Sequence, residues 1–118
     1  MVPVDILGNH YTIVVKRYDE DPDFEKRGIA AYCDNRSCTI VLCDMRTYKG
    51  YEDETPESVI VEQNRLLRHE IVHAFLYQSG LSVNSLGVDE WATNEEMVDW
   101  IALQGPKIYR AWMDVNAL

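Results

Sequence analysis

A long helical segment with clear signals at both ends dominates the second half of this 118-residue chain. Thr55 and Pro56 match an N-cap and a first helical position, and Glu57 suits the positive end of the helix dipole. Gly80 followed by Leu81 is typical of a left-handed C-cap with its hydrophobic contact. The helix predicted between them has about 24 residues and a length of roughly 36 Å. It is long enough to cross a whole small domain.

The segment before this helix begins with the pattern of a strand. Residues 10–17, HYTIVVKR, alternate so that Tyr11, Ile13 and Val15 share one face. That period of two is typical of a half-buried strand. An acidic segment containing Pro22 follows, and we expect it to be a loop.

Two apolar, partly β-branched runs come next, GIAAYCD and SCTIVLCD, and they predict a hairpin. The dipeptide Asn35-Arg36 between them is a weaker turn signal than Asn-Gly, so the register of the pairing stays open. The three cysteines of the chain fit neither a disulfide framework nor a paired zinc knuckle, and we expect free thiols. In this hairpin Cys33 and Cys38 would face each other, which leaves a redox or metal role as the alternative.

A second helix is predicted beyond the loop LSVNSLGVDEWA, where the residues TNEE precede an apolar run. Thr93 and Glu96 match a capping box at its start. Gly105 and Pro106 should break this helix, and IYRAWMDV should form a short terminal one. We therefore predict a single α+β domain over residues 1–118, with a small antiparallel sheet of about three strands followed by two or three helices.

The formal net charge of −9 limits the classes of partner. An acidic surface repels phosphate backbones, so we expect no nucleic-acid binding. We interpret the acidity as an aid to solubility, with attraction of basic peptides as the alternative. The N-terminus MVPVDILGNHY lacks an export pattern and no apolar stretch approaches membrane-spanning length. These patterns favour a cytoplasmic protein without a membrane partner.

Two of the three histidines lie in the long helix, within the sequence RHEIVHAF. Positions i and i+4 of a helix share one face, about 5 to 6 Å apart at Cβ, so His69 and His73 can direct two imidazoles at one metal ion. Glu70 stands one step round from His69, where its carboxylate can take a proton from water at the metal. The spacing therefore predicts two ligands and a general base.

A catalytic zinc site needs a third protein ligand beside an open position. The metzincin pattern is excluded, because Leu76 and Ser79 stand where it requires a glycine and a third histidine. The segment TNEEMVDW offers a glutamate instead. Glu95 and Asp99 share a helix face, which predicts Glu95 as the ligand and Asp99 as the partner that orients a ligand histidine. Glu96 is the second candidate, although the capping box already accounts for it.

These motifs carry a family resemblance over residues 57–108. HEIVHAFLYQSG followed by EEMVDWIALQGPKI resembles the minimal gluzincin-type metallopeptidases of phages and mobile elements and, more loosely, the ImmA/IrrE group. The resemblance implies a zincin-like fold, Zn²⁺ as cofactor, a peptide or protein substrate, and peptide-bond hydrolysis assisted by Glu70. Zincins usually supply an oxyanion donor as well, and the candidates here are Tyr77, Tyr109 and His10. The segment IALQGPKI departs from the ImmA/IrrE pattern, so the resemblance does not extend to repressor cleavage.

Two alternatives compete with a gluzincin-type peptidase. One is a non-catalytic zinc-containing regulatory or protein-binding module of phage or mobile-element origin, but structural zinc sites normally close all four positions with cysteine and histidine. The other is an SprT-like protease, which needs a histidine after His73, and the chain has none there. So small a scaffold leaves little room for a deep cleft. We therefore expect a peptide to add to an exposed sheet edge, or a protein partner to complete the site.

Overall fold

The computed structural model describes residues 2–84 and 90–118, which form four β-strands and three α-helices. In chain order these are β1 (Val2–Ile6), β2 (Asn9–Lys16), α1 (Pro22–Arg27), β3 (Ala31–Asp34), β4 (Thr39–Cys43), α2 (Pro56–Gln78) and α3 (Glu95–Asp114). Single turns of 3-10 helix at Tyr18–Glu20 and Trp91–Thr93 precede α1 and α3. The α+β class predicted from the sequence is confirmed.

The strands form one mixed sheet in the order β1-β2-β4-β3. β1 pairs antiparallel with β2, and β3 pairs antiparallel with β4, but β2 and β4 run parallel. The expectation of about three antiparallel strands was therefore wrong in number and in one pairing. The missed strand β1 reads VPVDI, and its Pro3 and Asp5 are residues that an outer strand tolerates and a central strand does not.

The central strand β4 is covered on both faces. Ile40 and Leu42 pack with side chains of β2 and α2, whereas Val41 and Cys43 pack with Phe24 of α1. All five of these side chains are buried. A strand buried on both faces has a continuous apolar sequence without alternation, as TIVLC does here.

The three cysteines are free thiols, as expected. Cys33 lies opposite Ile40 in the pairing of β3 with β4. Cys38 lies in the turn between these strands, with a φ of 53°. The proposed facing of Cys33 and Cys38 across the hairpin was therefore wrong, because the turn takes four residues rather than two.

The acidic segment around Pro22 forms the helix α1 and not the predicted loop. Asp21 caps it by accepting the N–H of Asp23 at 3.0 Å, and Pro22 stands in the first turn, where its missing N–H costs nothing. Phe24 anchors the helix in the core, and Gly28 ends it in the left-handed conformation, with a φ of 61°. The sequence contains these helix signals, but the segment is so short and acidic that its overall pattern favours a loop.

The long helix α2 agrees with its prediction. The Thr55 hydroxyl accepts the N–H of Ser58 at 3.1 Å, and Gly80 adopts a left-handed φ of 85° just past the last turn. The helix packs against β3, β4 and α3. Residues 85–89 of the loop expected after it lie outside the described residues. No helix in the described part of the chain has the length and hydropathy needed to span a bilayer.

The last helix, α3, continues through Gly105 and Pro106 to Asp114, so the predicted break and separate terminal helix were wrong. Proline lacks the N–H that would bond the carbonyl four residues earlier, which here belongs to Ala102. The Nε of Arg68 on α2 donates to that carbonyl at 2.5 Å. A donor from a neighbouring helix thus replaces the one that the proline removes.

Candidate metal centre

The two histidines of α2 meet at one face of the helix. Their Nε2 atoms lie 3.1 Å apart, and their ring centroids 4.8 Å apart. The side chains of His69 and His73 are 14% and 23% exposed, so both rings are mostly withdrawn from water. Neighbouring turns therefore bring the imidazoles together as the spacing of four predicts.

Glu95, the first residue of α3, completes a cluster of three possible ligands. Its Oε1 lies 2.6 Å from Nε2 of His73, and its Oε2 lies 3.5 Å from Nε2 of His69. Nitrogen and oxygen ligands of a tetrahedral zinc ion, bound at about 2.0–2.1 Å, stand about 3.3 Å from one another. Because the ligand atoms of all three residues lie within 4.8 Å of one another, the cluster can hold one metal ion.

The geometry at the start of α3 shows which of the two glutamates, Glu95 or Glu96, lies at the histidines. Asn94 is the N-cap, and its Oδ1 accepts the N–H of Met97 at 2.8 Å. The predicted capping box of Thr93 and Glu96 was therefore wrong, since the helix begins one residue later than it requires. Glu96 lines a separate hollow with Asn94 and Met97, whereas Glu95 is the carboxylate beside the histidines.

Asp99 lies one turn further along α3 and contacts Nδ1 of His69, whereas Nε2 of that ring faces the cluster. Its Oδ1 is 3.3 Å from Nδ1 of His69 and also accepts a hydrogen bond from the guanidinium of Arg65. Arg65 is held in turn by Glu62, through contacts of 3.0 and 2.5 Å. With its Nδ1 proton donated to Asp99, His69 keeps the lone pair of Nε2 for a metal. Sequence reasoning missed Arg65 and Glu62, although their spacing of three marks a pair on one helix face.

Glu70 is buried next to the ligands, with 6% of its surface exposed. Burial raises the pKa of its carboxyl to about 7, Glu95 adds to the rise, and the charges of His69 and Arg27 act against it. A carboxyl with a pKa near neutrality can both take up and release a proton at physiological pH. Burial also lowers the pKa of His73, against the opposing charge of Glu95, which favours the neutral imidazole that a metal requires.

The cluster opens into a cavity of about 270 Å³. Glu70, His73 and Glu95 form one side of it, while β3 and Arg27, the last residue of α1, form the other. A larger hollow of about 470 Å³ lies beside Val15 and none of the three candidate ligands lines it. Val15, predicted to share the buried face of its strand, is 58% exposed at that hollow. The smaller cavity is therefore the one that gives access to the candidate ligands and to Glu70.

None of the three predicted oxyanion donors lines the smaller cavity. Tyr109 borders an apolar hollow between α2 and α3, His10 is exposed on β2, and Tyr77 is half-buried on α2. Their catalytic role stays a prediction. Instead, Arg27 and Tyr32 border the cavity. Sequence reasoning missed both, because the segment of Arg27 was predicted as a loop and no motif marks Tyr32.

Comparisons of the chain with family models, curated proteins and solved structures found no match. The resemblance to gluzincin-type peptidases therefore depends on the residues themselves. The residues that bear on the chemistry are the cluster of His69, His73 and Glu95 and the buried carboxyl of Glu70 beside it.

Proposed function

We propose that this protein is a zinc-dependent metallopeptidase that hydrolyses peptide bonds by Glu-assisted attack of water. The supporting observation is that His69, His73 and Glu95 converge while Glu70 is buried beside them. Two imidazoles and one carboxylate are the ligands of catalytic zinc sites that keep a fourth position open. The separations of 3.1 and 3.5 Å between ligand atoms lie near the value for tetrahedral zinc, although that between His73 and Glu95 is shorter, at 2.6 Å. Two imidazole nitrogens also suit zinc better than magnesium or calcium, which prefer oxygen ligands.

Each residue of the centre then has a defined task. A bound zinc ion supplies Lewis acidity, which polarises a carbonyl group and makes a water molecule acidic near neutral pH. Glu70 takes the proton of the attacking water and delivers it to the nitrogen of the leaving amine. Asp99 holds the ring of His69 in the tautomer and orientation that a ligand needs. The zincin-like fold is part of this proposal, supported by the mixed sheet that lies against the helix bearing both histidines.

The edge of the sheet beside the cavity suits an extended peptide. Among the strands of residues 2–84 and 90–118, β3 has a neighbour on one side only. The N–H of Cys43 bonds the carbonyl of Ala30. In an antiparallel pair the bonding alternates, so the N–H and C=O groups of Ala31 and Cys33 point to the open edge. Ala31 and Cys33 also line the cavity. A substrate strand paired with these groups would pass directly in front of Glu70.

The test is cleavage of a peptide library by zinc-loaded protein, read by mass spectrometry of the products. The matched control is Glu70→Gln, which keeps the shape and the three candidate ligands but removes the base. We expect wild type to cut and the variant to be slower by about 10²- to 10⁴-fold. Equal cleavage by both would reveal a contaminating protease. Zinc binding without any cleavage would favour the non-catalytic protein-binding module.

A further inference from the structure

Arg27 borders the cavity from the side opposite the candidate ligands. It is the last residue of α1, directly before Gly28 turns the chain with its left-handed φ of 61°. Its guanidinium carbon lies 5.7 Å from the ring centroid of Tyr32, within the range of a cation–π contact. The hydroxyl of Tyr32 donates to Asp21 at 2.5 Å, so the ring under the guanidinium is itself held in place.

The guanidinium has no ion pair within residues 2–84 and 90–118. Arginine carries five N–H donors in a planar fork that matches the two oxygens of a carboxylate. The contact with Tyr32 leaves N–H donors of that fork available to a carboxylate. Its charge is felt at Glu70, where it opposes the effect of burial on the pKa. Arg27 is therefore close to the reacting groups without being neutralised by them.

The charge of the cavity differs from that of the whole chain. The chain carries a formal charge of −9, whereas Arg27 is the cationic side chain among the described residues that line this cavity. Two carboxylates, Glu70 and Glu95, face it there. A divalent ion held by the ligand cluster would offset both of them, so that the guanidinium would make the cavity attractive to an anion.

We propose that Arg27 binds a carboxylate of the peptide substrate through a two-pronged ion pair, an inference that rests on the proposed peptidase function. The protein then acts on peptides that present a negative charge close to the bond cut. Two sources have this chemistry: the terminal carboxylate of a chain, and the side chain of an aspartate or glutamate. The same contact serves both, and the peptide set distinguishes them.

The probes are four alanine pentapeptides labelled with an uncharged BODIPY dye, because a fluorescein label would carry a carboxylate of its own. One ends in a free carboxylate and one in an amide; the other two are amidated and carry a central glutamate or glutamine. Their affinities are measured by fluorescence anisotropy on zinc-loaded Glu70→Gln protein, which does not turn them over. We expect one carboxylate peptide to bind about tenfold to a hundredfold more tightly than its neutral match. The pair that shows the difference identifies the source of the carboxylate.

Three further variants in the Glu70→Gln background assign the effect to Arg27. Arg27→Met should abolish the preference, and Arg27→Lys should retain part of it, because the charge remains without the planar fork. Lys26→Met removes the neighbouring exposed charge of the same helix and should leave the preference unchanged. Thermal melts establish that every variant is folded. Equal affinity for charged and neutral peptides, an equal effect of Lys26→Met, or no binding at all would overturn the inference.

Failure of this inference can be separated from failure of the proposed function. Cleavage by wild type without any preference for a carboxylate would overturn the role of Arg27 and leave the peptidase function standing. A preference that depends on Arg27, with no peptide cleaved by wild type, would keep the carboxylate site and overturn the peptidase function.

Discussion

The Nε of Arg68 donates a hydrogen bond of 2.5 Å to the carbonyl oxygen of Ala102, linking α2 to α3. Pro106 stands four residues after Ala102 and cannot supply the helical N–H for that carbonyl. Ala102 is 1% exposed, so water has little access to replace the missing donor. One side chain of α2 therefore allows α3 to continue through a proline.

Replacing Arg68 with methionine should destabilise the protein by about 1–3 kcal/mol, because a buried carbonyl then loses its partner. Urea denaturation followed by circular dichroism measures the change. Pro106→Ala restores the helical N–H, so Arg68→Met should cost much less in that background. An additive double-mutant cycle would show that Arg68 acts only through packing and not through this carbonyl.

Metal content should separate the two neighbouring glutamates at the start of α3. Glu95→Ala removes one of the three candidate ligands and should lower zinc retention after dialysis, whereas Glu96→Ala should leave it unchanged. Inductively coupled plasma mass spectrometry of the dialysed variants is the measurement. The opposite pattern, with zinc lost only from Glu96→Ala, would contradict the ligand assignment.

Asp99 should affect the metal without touching it. Asp99→Ala leaves Nδ1 of His69 without its acceptor, and we expect the affinity for zinc to fall about 10- to 100-fold. Arg65→Met should produce a smaller loss through the same aspartate. Competition with a zinc-binding dye gives both values. An unchanged affinity in Asp99→Ala would reduce the contact to a purely structural one.

The thiol of Cys33 should react slowly although it borders the cavity. Burial raises its pKa to about 12 from 9.0, and the charges of Glu70 and Asp34 act in the same direction. At pH 8 the thiolate, which is the reactive form, should be about a thousandfold rarer than in an ordinary cysteine. Alkylation with iodoacetamide, mapped by mass spectrometry, should therefore label Cys33 late in folded protein and rapidly in urea. Early labelling of the folded protein would disprove this.

The hydrogen bond between Tyr32 and Asp21 should make the free energy of unfolding depend on pH in the acidic range. The hydroxyl of Tyr32 is the main cause that lowers the pKa of Asp21 below its ordinary 3.8. A group whose folded pKa is depressed stabilises the protein above its unfolded pKa, and that contribution fades as the pH falls through the folded value. Tyr32→Phe should thus cost about 1.5–3 kcal/mol at pH 7 and much less at pH 2.5. Urea denaturation at both pH values measures it, and equal losses would contradict the linkage.

The parts of this molecule that could be predicted are those that local chemistry determines. Thr55, Pro56 and Gly80 bound α2 because caps act within one turn, and His69 meets His73 because a helix repeats every 3.6 residues. The approach of α3 to α2 could be anticipated only through Glu95, whose position suits a metal ligand.

The parts that could not be predicted depend on contacts between distant segments. The parallel pairing of β2 with β4 arises because α1 and β3 intervene, and no local pattern in either strand reveals its neighbour. Gly105 and Pro106 are strong breakers by themselves, but the donor that overrides them belongs to Arg68, 34 residues before the carbonyl of Ala102 that it bonds. The position of Arg27 could not be predicted for a related reason. Arg27 reaches the cavity only because α1 forms and packs beside β3.

The two edge strands of the sheet, β1 and β3, differ in how readily a further strand can pair with them. The N–H of Thr12 bonds the carbonyl of Cys38, directly before β4. Its partner Pro3 on β1 therefore directs its own backbone groups away from the sheet. At that outward position proline offers no N–H, and Asp5, two residues on, adds a charge. These two residues protect β1 against edge-to-edge strand pairing with other copies of the protein, the usual route by which an open edge leads to aggregation. The opposite edge strand, β3, has no proline, so a further strand can pair there. Because β1 is blocked, a second copy that paired at β3 could not extend the sheet into an aggregate.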